Sequence, residues 1–200
     1  MSNPVLQAAE RELGVHEEPA GSNRGKRVEF YQSLDWLTGG GYPWCVDFAW
    51  CYVVWYAVLK KKNPYPTASV AQLEAWARKN GWLGIGAPQP GDLLCLNHGQ
   101  HVTICAAKPA NGYVRCLGGN QSDSVNYTTY KLSSVTTIVR IPKRLTPKNT
   151  PKPSKPPRYE VVVGEEGRKV VFAGRLGKAT EAARKALAAG AKIVRIRRRV

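Results

Sequence analysis

The chain has 200 residues and carries 30 lysine and arginine against 14 aspartate and glutamate side chains, a net charge of +16. The excess is local, because residues 1–142 carry +3 and residues 143–200 carry +13. This distribution favours a domain of ordinary size with a small basic appendage over one large domain.

The apolar and cysteine patterns disfavour several classes of protein. Met1–Gly14 is polar and amphipathic and does not resemble a signal peptide, so we expect synthesis in a cytoplasm. The longest apolar run, Val46–Leu59, contains Asp47 and is shorter than the roughly 20 residues of a membrane span. Five cysteines without a C-x-x-C pair or a histidine at finger spacing argue against a disulfide framework and a structural zinc.

The first half of the chain carries four helical patterns. Helices are predicted over Val5–Leu13, Arg24–Leu37, Cys45–Leu59 and Ser69–Lys79. Pro4 and Gly14 bracket the first of them, as expected for helix boundaries. The glycine run 39–41 interrupts regular structure before the third helix, and Pro43 prevents that helix from extending backwards.

After residue 90 the periodicity changes from helical to alternating. Short runs rich in β-branched residues, separated by Gly, Asn and Pro, predict strands at 91–97, 101–108, 112–120 and 136–142. Helices first and strands later predict an α+β domain, with N-terminal helices packed on an antiparallel sheet.

A proline- and lysine-rich segment at 146–157 predicts a semi-rigid linker. It separates a domain at 1–145 from a small basic domain at 158–200. In the second domain the pattern predicts a hairpin, an alanine-rich helix ended by Gly190 and a basic strand. This ββαβ unit is near the size limit for independent folding.

Two cysteines, Cys45 and Cys51, lie in one apolar run. A thiol becomes a nucleophile where a helix N-terminus and a histidine favour the thiolate, and only Cys45 lies where Pro43 starts a helix. Six residues at 100° each place Cys51 about 120° away and deeper, so the two are not expected to share a site. From spacing alone, a nucleophilic and a purely structural Cys45 remain equally open.

The predicted strands supply a histidine partner. If residues 109–112 form a turn, paired positions in the flanking strands sum to 221, and His101 lies opposite Asn120. Asn120 then orients one imidazole nitrogen while the other faces Cys45, the arrangement of an acyl-transfer triad. The same register sets Cys105 opposite Cys116, where reduced thiols are expected in a cytoplasm.

The remaining polar candidates have structural interpretations. His16 and His98 lie in predicted loops and are expected to be solvated. Asp123 is interpreted as a loop cap. Asp47 is expected to cap the cysteine helix, since a carboxylate close to the thiol disfavours the thiolate.

Four motifs in chain order resemble the CHAP domain, the cysteine-, histidine-dependent amidohydrolase/peptidase family of the papain-like group. They are "YPWCVDFAWCYV", "PQPGDLLCL", "HVTIC" and "LGGNQSDSVN". The resemblance covers residues 5–142 and is strongest to the phage and prophage branch. It implies a papain-like fold and cleavage of peptidoglycan, with Cys45 as nucleophile, His101 as general base and Asn120 as the residue that orients the base.

The sequence departs from the family pattern in two places. Many CHAP domains have a glutamate two residues before the asparagine, where this chain has Gly118. The acidic calcium loop of some members has no counterpart, so we expect neither a metal nor a cofactor.

Substrate contacts are predicted from residues around the triad: Trp44, Gln121, Asp123 and Tyr127. Trp36 and Trp82 are, like Trp44 and Tyr127, candidate walls of a glycan groove. Each of these four aromatic residues is equally a candidate for the core.

The basic residues near the C-terminus are predicted to bind an anionic polymer of the cell surface and so to tether the enzyme. They are Lys192, Arg195, Arg197, Arg198 and Arg199. Nucleic-acid binding through phosphates and a merely soluble appendage are the alternatives.

The favoured prediction is a monomeric phage lysin that lyses its host. It reaches the cell wall through a holin or from outside and cuts peptidoglycan at the muramoyl–L-alanine amide or at a peptide bond. The rival prediction is a nucleic-acid- or surface-binding protein in which Cys45 is structural.

Overall fold

The computed structural model describes residues 3–37 and 39–145, and the backbone of three short strands beyond them. The chain divides into two units, Met1–Lys148 and Asn149–Val200. No helix in the described part of the chain is long and apolar enough to cross a membrane.

Four helices form the first half of the larger unit. They are α1 (Pro4–Glu10), α2 (Lys26–Gln32), a π-helix (Asp47–Leu59) and α3 (Val70–Lys79). The Asn3 side chain caps α1, and Ser69 caps α3 by accepting from the backbone N–H of Gln72. The predicted second helix is shorter than expected, because Ser33 already closes α2.

The π-helix lies at the centre of this unit. Eleven of its thirteen residues are buried, so it is apolar on nearly all sides, as expected for a helix enclosed by other elements. It packs against α1 and α2 and against two strands of the sheet. The predicted helix over 45–59 is present, but its hydrogen bonds are mostly of the wider i→i+5 type.

Five antiparallel strands follow the helices. They are β1 (Leu93–Leu96), β2 (His101–Cys105), β3 (Tyr113–Gln121), β4 (Ser124–Lys131) and β5 (Val135–Val139), with spatial order β4-β3-β2-β1-β5. The α+β class predicted from the sequence is confirmed for this unit. Strand β4 was not predicted, because its polar composition hides an edge strand that is only partly buried.

A buried charge network joins the helices. Glu12 accepts hydrogen bonds from Arg27 at 2.7 and 2.8 Å and from the Tyr31 hydroxyl at 2.7 Å, and a fourth from Tyr52 on the π-helix. Burial alone raises the pKa of Glu12, but these hydrogen bonds and the Arg27 charge hold it below the ordinary value. The carboxylate therefore stays ionised and fixes the turn after α1 to the π-helix.

In the smaller unit, β6 (Tyr159–Val163) lies between β7 (Lys169–Val170) and β8 (Val194–Arg198), and both pairs are antiparallel. In register, Arg195 lies opposite Val162 and Arg197 opposite Glu160. The predicted helix of the ββαβ unit, with Lys192 and Arg199, lies outside the described residues. The basic domain therefore stays a prediction.

Candidate active site

The Cys45 thiol lies where the central helix begins and where strand β2 passes. Helical backbone starts at Cys45, immediately before the π-helix and two residues after Pro43. The backbone N–H groups of Val102, next to His101 on β2, and of Val46 and Cys45 are close enough to the thiol to act on it and lower its pKa. Cys45 is only 5% exposed. The sequence therefore brings this thiol to the strand that carries the predicted base.

The free thiol is not a preformed thiolate. Burial raises the pKa of Cys45, and the three backbone N–H groups only partly oppose this effect. Burial also lowers the pKa of His101, although its contact with Gln121 acts in the opposite direction. The expectation of a thiolate at Cys45 is thus corrected: in the free protein both groups are neutral.

The predicted pairing of β2 with β3 is confirmed where the strands are regular. Ile104 lies opposite Leu117 and Cys105 opposite Cys116, which is the register predicted from the turn. All five cysteines are free and buried.

The side chain that contacts His101 is Gln121, not Asn120. His101 Nε2 lies 3.3 Å from Gln121 Oε1, whereas the Asn120 amide donates to Asn23 Oδ1 at 3.2 Å. The register between β3 and β4 shifts between Gly118 and Gln121, and Asn120 has a φ of 56°, in the left-handed region. This bulge turns Asn120 away and brings the next residue to the histidine.

The Gln121 amide has a defined orientation. Its Nε2 donates to the backbone carbonyl of Asn126 at 2.8 Å, and a carbonyl can only accept. Its Oε1 therefore faces His101 and also accepts from the hydroxyls of Thr103 at 2.9 Å and Tyr130 at 3.1 Å. His101 Nε2 must then carry the proton, which leaves Nδ1 with a lone pair and able to act as a base.

Gly118 explains why a glutamine serves in this place. A Cβ atom at Gly118 would lie 2.7 Å from both Gln121 Oε1 and Thr103 Oγ1. The Gln121 amide thus occupies the space beside Gly118 in which many CHAP domains have a glutamate. At the neighbouring Gly119, a Cβ atom would lie 2.5 Å from the Trp44 ring, so this glycine lets β3 approach the start of the cysteine helix.

The predicted substrate contacts differ in their burial and in their partners. Trp44 is fully buried and its indole N–H donates to Glu17 at 2.9 Å, so it does not line a groove. Gln121 is 5% exposed and engaged as described. The Tyr127 hydroxyl donates to Glu10 at 2.7 Å, and Asp123 forms a turn at a φ of 58°. Trp82 is also buried, and of the candidate groove walls Trp36 stands out as 60% exposed.

Asp47 does not cap the helix as predicted. It is fully buried, and no donor among the described residues reaches either of its carboxyl oxygens. Burial, followed by the nearby carboxylate of Asp35, raises the pKa of Asp47 to about 9. The group is therefore protonated and neutral at pH 7, and once it ionises its charge adds to the burial that raises the pKa of Cys45.

Cys51 is separated from the site, as the sequence predicted. Its sulfur lies 3.6 Å from the Thr67 carbonyl and 3.5 Å from the Asn63 amide nitrogen. Burial raises the pKa of Cys51 far above its ordinary value, which makes it unreactive. Within the described residues, no cluster of three or more His, Cys, Asp or Glu side chains is arranged to hold a metal ion.

A cysteine at the start of a buried helix and a strand histidine whose Nε2 contacts a buried amide are the residue types of an acyl-transfer triad. Residues 37–120 match the family model of the CHAP domain, a cysteine/histidine-dependent amidohydrolase/peptidase domain. The chain has no match among curated proteins or solved structures. The matched segment contains Cys45 and His101 and ends one residue before Gln121.

Proposed function

We propose that this protein hydrolyses an amide bond of peptidoglycan with Cys45 as nucleophile, His101 as general base and Gln121 as the positioning residue. The observation that carries the proposal is the Cys45 thiol held at the Val102 N–H, next to a histidine whose Nε2–H is fixed by a buried amide. The CHAP family supports the substrate class and the reaction type.

The reaction starts from a neutral thiol and a neutral imidazole. As Cys45 Sγ attacks the amide carbonyl, His101 Nδ1 takes the thiol proton, and the imidazolium is stabilised by its Nε2–H bond to Gln121. The contact of 3.3 Å in the free protein is long and is expected to tighten once the imidazole is charged. Backbone N–H groups at the helix start are the candidate donors to the oxyanion of the tetrahedral intermediate.

Collapse of that intermediate breaks the C–N bond. His101 gives its proton to the departing amine, and the acyl group stays on Cys45 as a thioester. His101 then takes a proton from a water molecule as the water oxygen attacks the thioester. The C–S bond breaks, the carboxylic acid is released, and His101 returns the proton to the Cys45 sulfur. The cycle needs no oxidant and no metal ion.

The decisive experiment compares two cysteine variants on purified cell walls. Cys45→Ala is expected to abolish release of soluble wall fragments, because it removes the nucleophile. Cys51→Ala is the matched control, since Cys51 lies on the same buried helix but contacts Thr67 and Asn63 instead. Equal clearing by wild type and Cys45→Ala would refute the proposal.

Mass spectrometry of the released fragments identifies the bond that is cut. A new N-terminal alanine identifies the muramoyl–L-alanine amide, and another new amine identifies a bond of the stem or bridge peptide. The resemblance of residues 5–142 to the phage branch supports lysis of a host as the biological role. Expression with and without a holin, followed by culture turbidity, tests this role, and lysis only with the holin is expected.

We also propose that the basic C-terminal unit binds an anionic surface polymer. Residues 143–200 carry +13 of the net charge, and Arg195 and Arg197 lie on the strand paired with β6. The full chain with and without residues 149–200 is compared for binding to walls stripped of anionic polymer, to intact walls and to DNA. Deletion of residues 149–200 is expected to abolish binding to intact walls and to leave binding to the stripped walls unchanged. Binding of the full chain to DNA but not to walls would favour the nucleic-acid alternative.

One observation favours the rival, a binding protein in which Cys45 is structural. The raised pKa of the buried thiol is also what an inert core cysteine has. The alternative requires Cys45→Ala to keep wall binding and to lose stability, as truncation of a core side chain does, while neither wild type nor variant shows turnover.

A further inference from the structure

A cavity lies on the surface formed by α2 and the loop that leads to Cys45. It has a volume of about 440 Å³, within the usual range of small-molecule sites, roughly 300–1,000 Å³. The residues that matter for its chemistry are Glu29, Gln32, Asp35, Trp36 and Tyr42. None of them is used by the thiol chemistry above.

Trp36 gives the cavity an aromatic wall. Its side chain is 60% exposed, the largest exposed fraction of any aromatic residue described as exposed, whereas Trp44 and Trp82 are buried. An exposed indole keeps a large apolar face in water, and tryptophans in such places commonly pack on a ligand. The face suits a flat ring with an apolar side.

Gln32 supplies an acceptor that nothing in the described residues satisfies. The residue is only 2% exposed, and its Nε2 donates to the carbonyls of Asn23 at 3.1 Å and Tyr42 at 2.8 Å, yet no donor reaches its Oε1. A Cβ atom at Gly40 would lie 3.1 Å from this oxygen. An unpaired buried acceptor is costly, so a ligand that brings a donor to this oxygen would satisfy it.

The charged groups beside the cavity already have partners and do not favour an ionic ligand. Glu29 forms an ion pair with Arg24 at 3.4 Å, and the Arg24 guanidinium lies against Gly41, so a cation meets a positive charge at the rim. An anion meets Glu29 and the Asp35 carboxyl, which accepts from the Tyr42 hydroxyl at 3.2 Å. What remains favourable is a neutral ligand with hydroxyl or amide donors and an apolar ring face.

We propose that this cavity binds a pyranose unit of the glycan strand, with Trp36 against the ring and Gln32 Oε1 accepting from a hydroxyl or amide group. The proposal rests on the proposed peptidoglycan substrate. Asn23 links the cavity to strand β3, because its carbonyl accepts from Gln32 and its side chain accepts from Asn120, the residue before Gln121. Tyr42 of the cavity lies three residues before Cys45. A sugar held here places the peptide attached to the same strand near the thiol.

Calorimetric titration of the full-length Cys45→Ala protein with peptide-free tetrasaccharide fragments of wall glycan tests the site. Saturable binding is expected, and adding Trp36→Ala should weaken it at least about tenfold, as for an aromatic anchor. Trp36→Phe should keep part of the affinity. Tyr113→Ala is the matched control, because Tyr113 is an exposed aromatic residue at 47% that does not line the cavity. No saturable binding, or equal binding by Trp36→Ala, would overturn the proposal.

The kinetic measurement keeps this inference separate from the proposed function. In Trp36→Ala with Cys45 restored, the ratio of kcat/KM on a glycan-bearing fragment to that on its glycan-free peptide should fall about tenfold, through KM. An unchanged ratio in an active enzyme refutes the sugar site and leaves the hydrolase standing. Sugar binding without any hydrolysis refutes the hydrolase and leaves a saccharide site.

Discussion

Replacing Gln121 should change the titration of His101, because Gln121 Oε1 is the hydrogen-bond partner of Nε2 within the described residues. Gln121→Leu removes a hydrogen bond worth about 0.5–1.5 kcal/mol, or roughly two- to tenfold in rate. It also removes the group that fixes the proton of His101 on Nε2, so the tautomer with the proton on Nδ1 can form. We expect kcat/KM on wall fragments to fall about 10- to 100-fold. The hydroxyl of Thr103, which is fully buried, also loses its acceptor, so stability falls by about 1–3 kcal/mol.

A second substitution separates orientation from stability. In Gln121→Glu a carboxylate faces His101 and favours the imidazolium, so the pKa of His101 should rise and the activity that requires the neutral base should appear only at higher pH. The assay is the pH dependence of kcat/KM together with NMR titration of the imidazole, which three histidines in the chain keep tractable.

The control for this series is Asn120→Gly, which removes the side chain and tolerates the φ of 56°. The Asn120 side chain donates one hydrogen bond, to Asn23 Oδ1, so we expect kcat/KM to fall less than about fivefold and the His101 titration to be unchanged. If Asn120→Gly costs more than Gln121→Leu, and Gln121→Glu leaves the His101 pKa unchanged, the assignment of the positioning role to Gln121 is wrong.

Two further predictions concern pH and stability. Because the pKa of Glu12 is lowered on folding, its contribution to stability is present above pH 4.5 and is lost as pH falls. At pH 7, Glu12→Gln should lower the free energy of urea unfolding by about 1–3 kcal/mol. The control is Glu29→Gln, which breaks the exposed ion pair with Arg24 and should cost at most about 0.5 kcal/mol. A penalty that persists undiminished at pH 3 would contradict the network. The pKa of Asp47 is raised from 3.8 to about 9, so folding stability should decline as pH rises between these values. Between pH 5 and 8 this decline in the free energy of unfolding is at most about 4 kcal/mol. Asp47→Asn should flatten the dependence of stability on pH, whereas the control Asp123→Asn, in the β3–β4 turn, should leave it in place. Parallel curves of stability against pH for wild type and Asp47→Asn would refute the raised pKa.

The sequence predicts well those features that depend on local periodicity. The helix at Cys45 follows from Pro43 and the apolar run, and the pairing of Cys105 with Cys116 follows from one turn. Both are set within a few residues. The separation of Cys51 from the site also follows from chain spacing, even though the helix is wider than the assumed one.

The sequence fails where one irregular backbone position decides which side chain is presented. The rule that paired positions sum to 221 assumes a regular strand, and the left-handed Asn120 breaks that assumption beyond Gly118. The role of Gln121 depends on Thr103 and Tyr130, which are distant in the chain and meet it only in the sheet. A glycine at 118 with a glutamine three residues later was the available signal, and it acquires meaning only from the fold.

Gly118 and Gln121 constrain each other in any attempt to change this site. A glutamate at 118 places its Cβ where the Gln121 amide now lies, so the single substitution Gly118→Glu should inactivate the protein even though it introduces the family's usual carboxylate. Only together with a small residue at 121 does that carboxylate gain room to reach His101. A glutamine at 121 and a glutamate at 118 are thus mutually exclusive as the group that orients the base. A stepwise change from one to the other by single substitutions passes through an inactive variant. Such sign epistasis between positions three residues apart is expected to confine the chain to the glutamine solution.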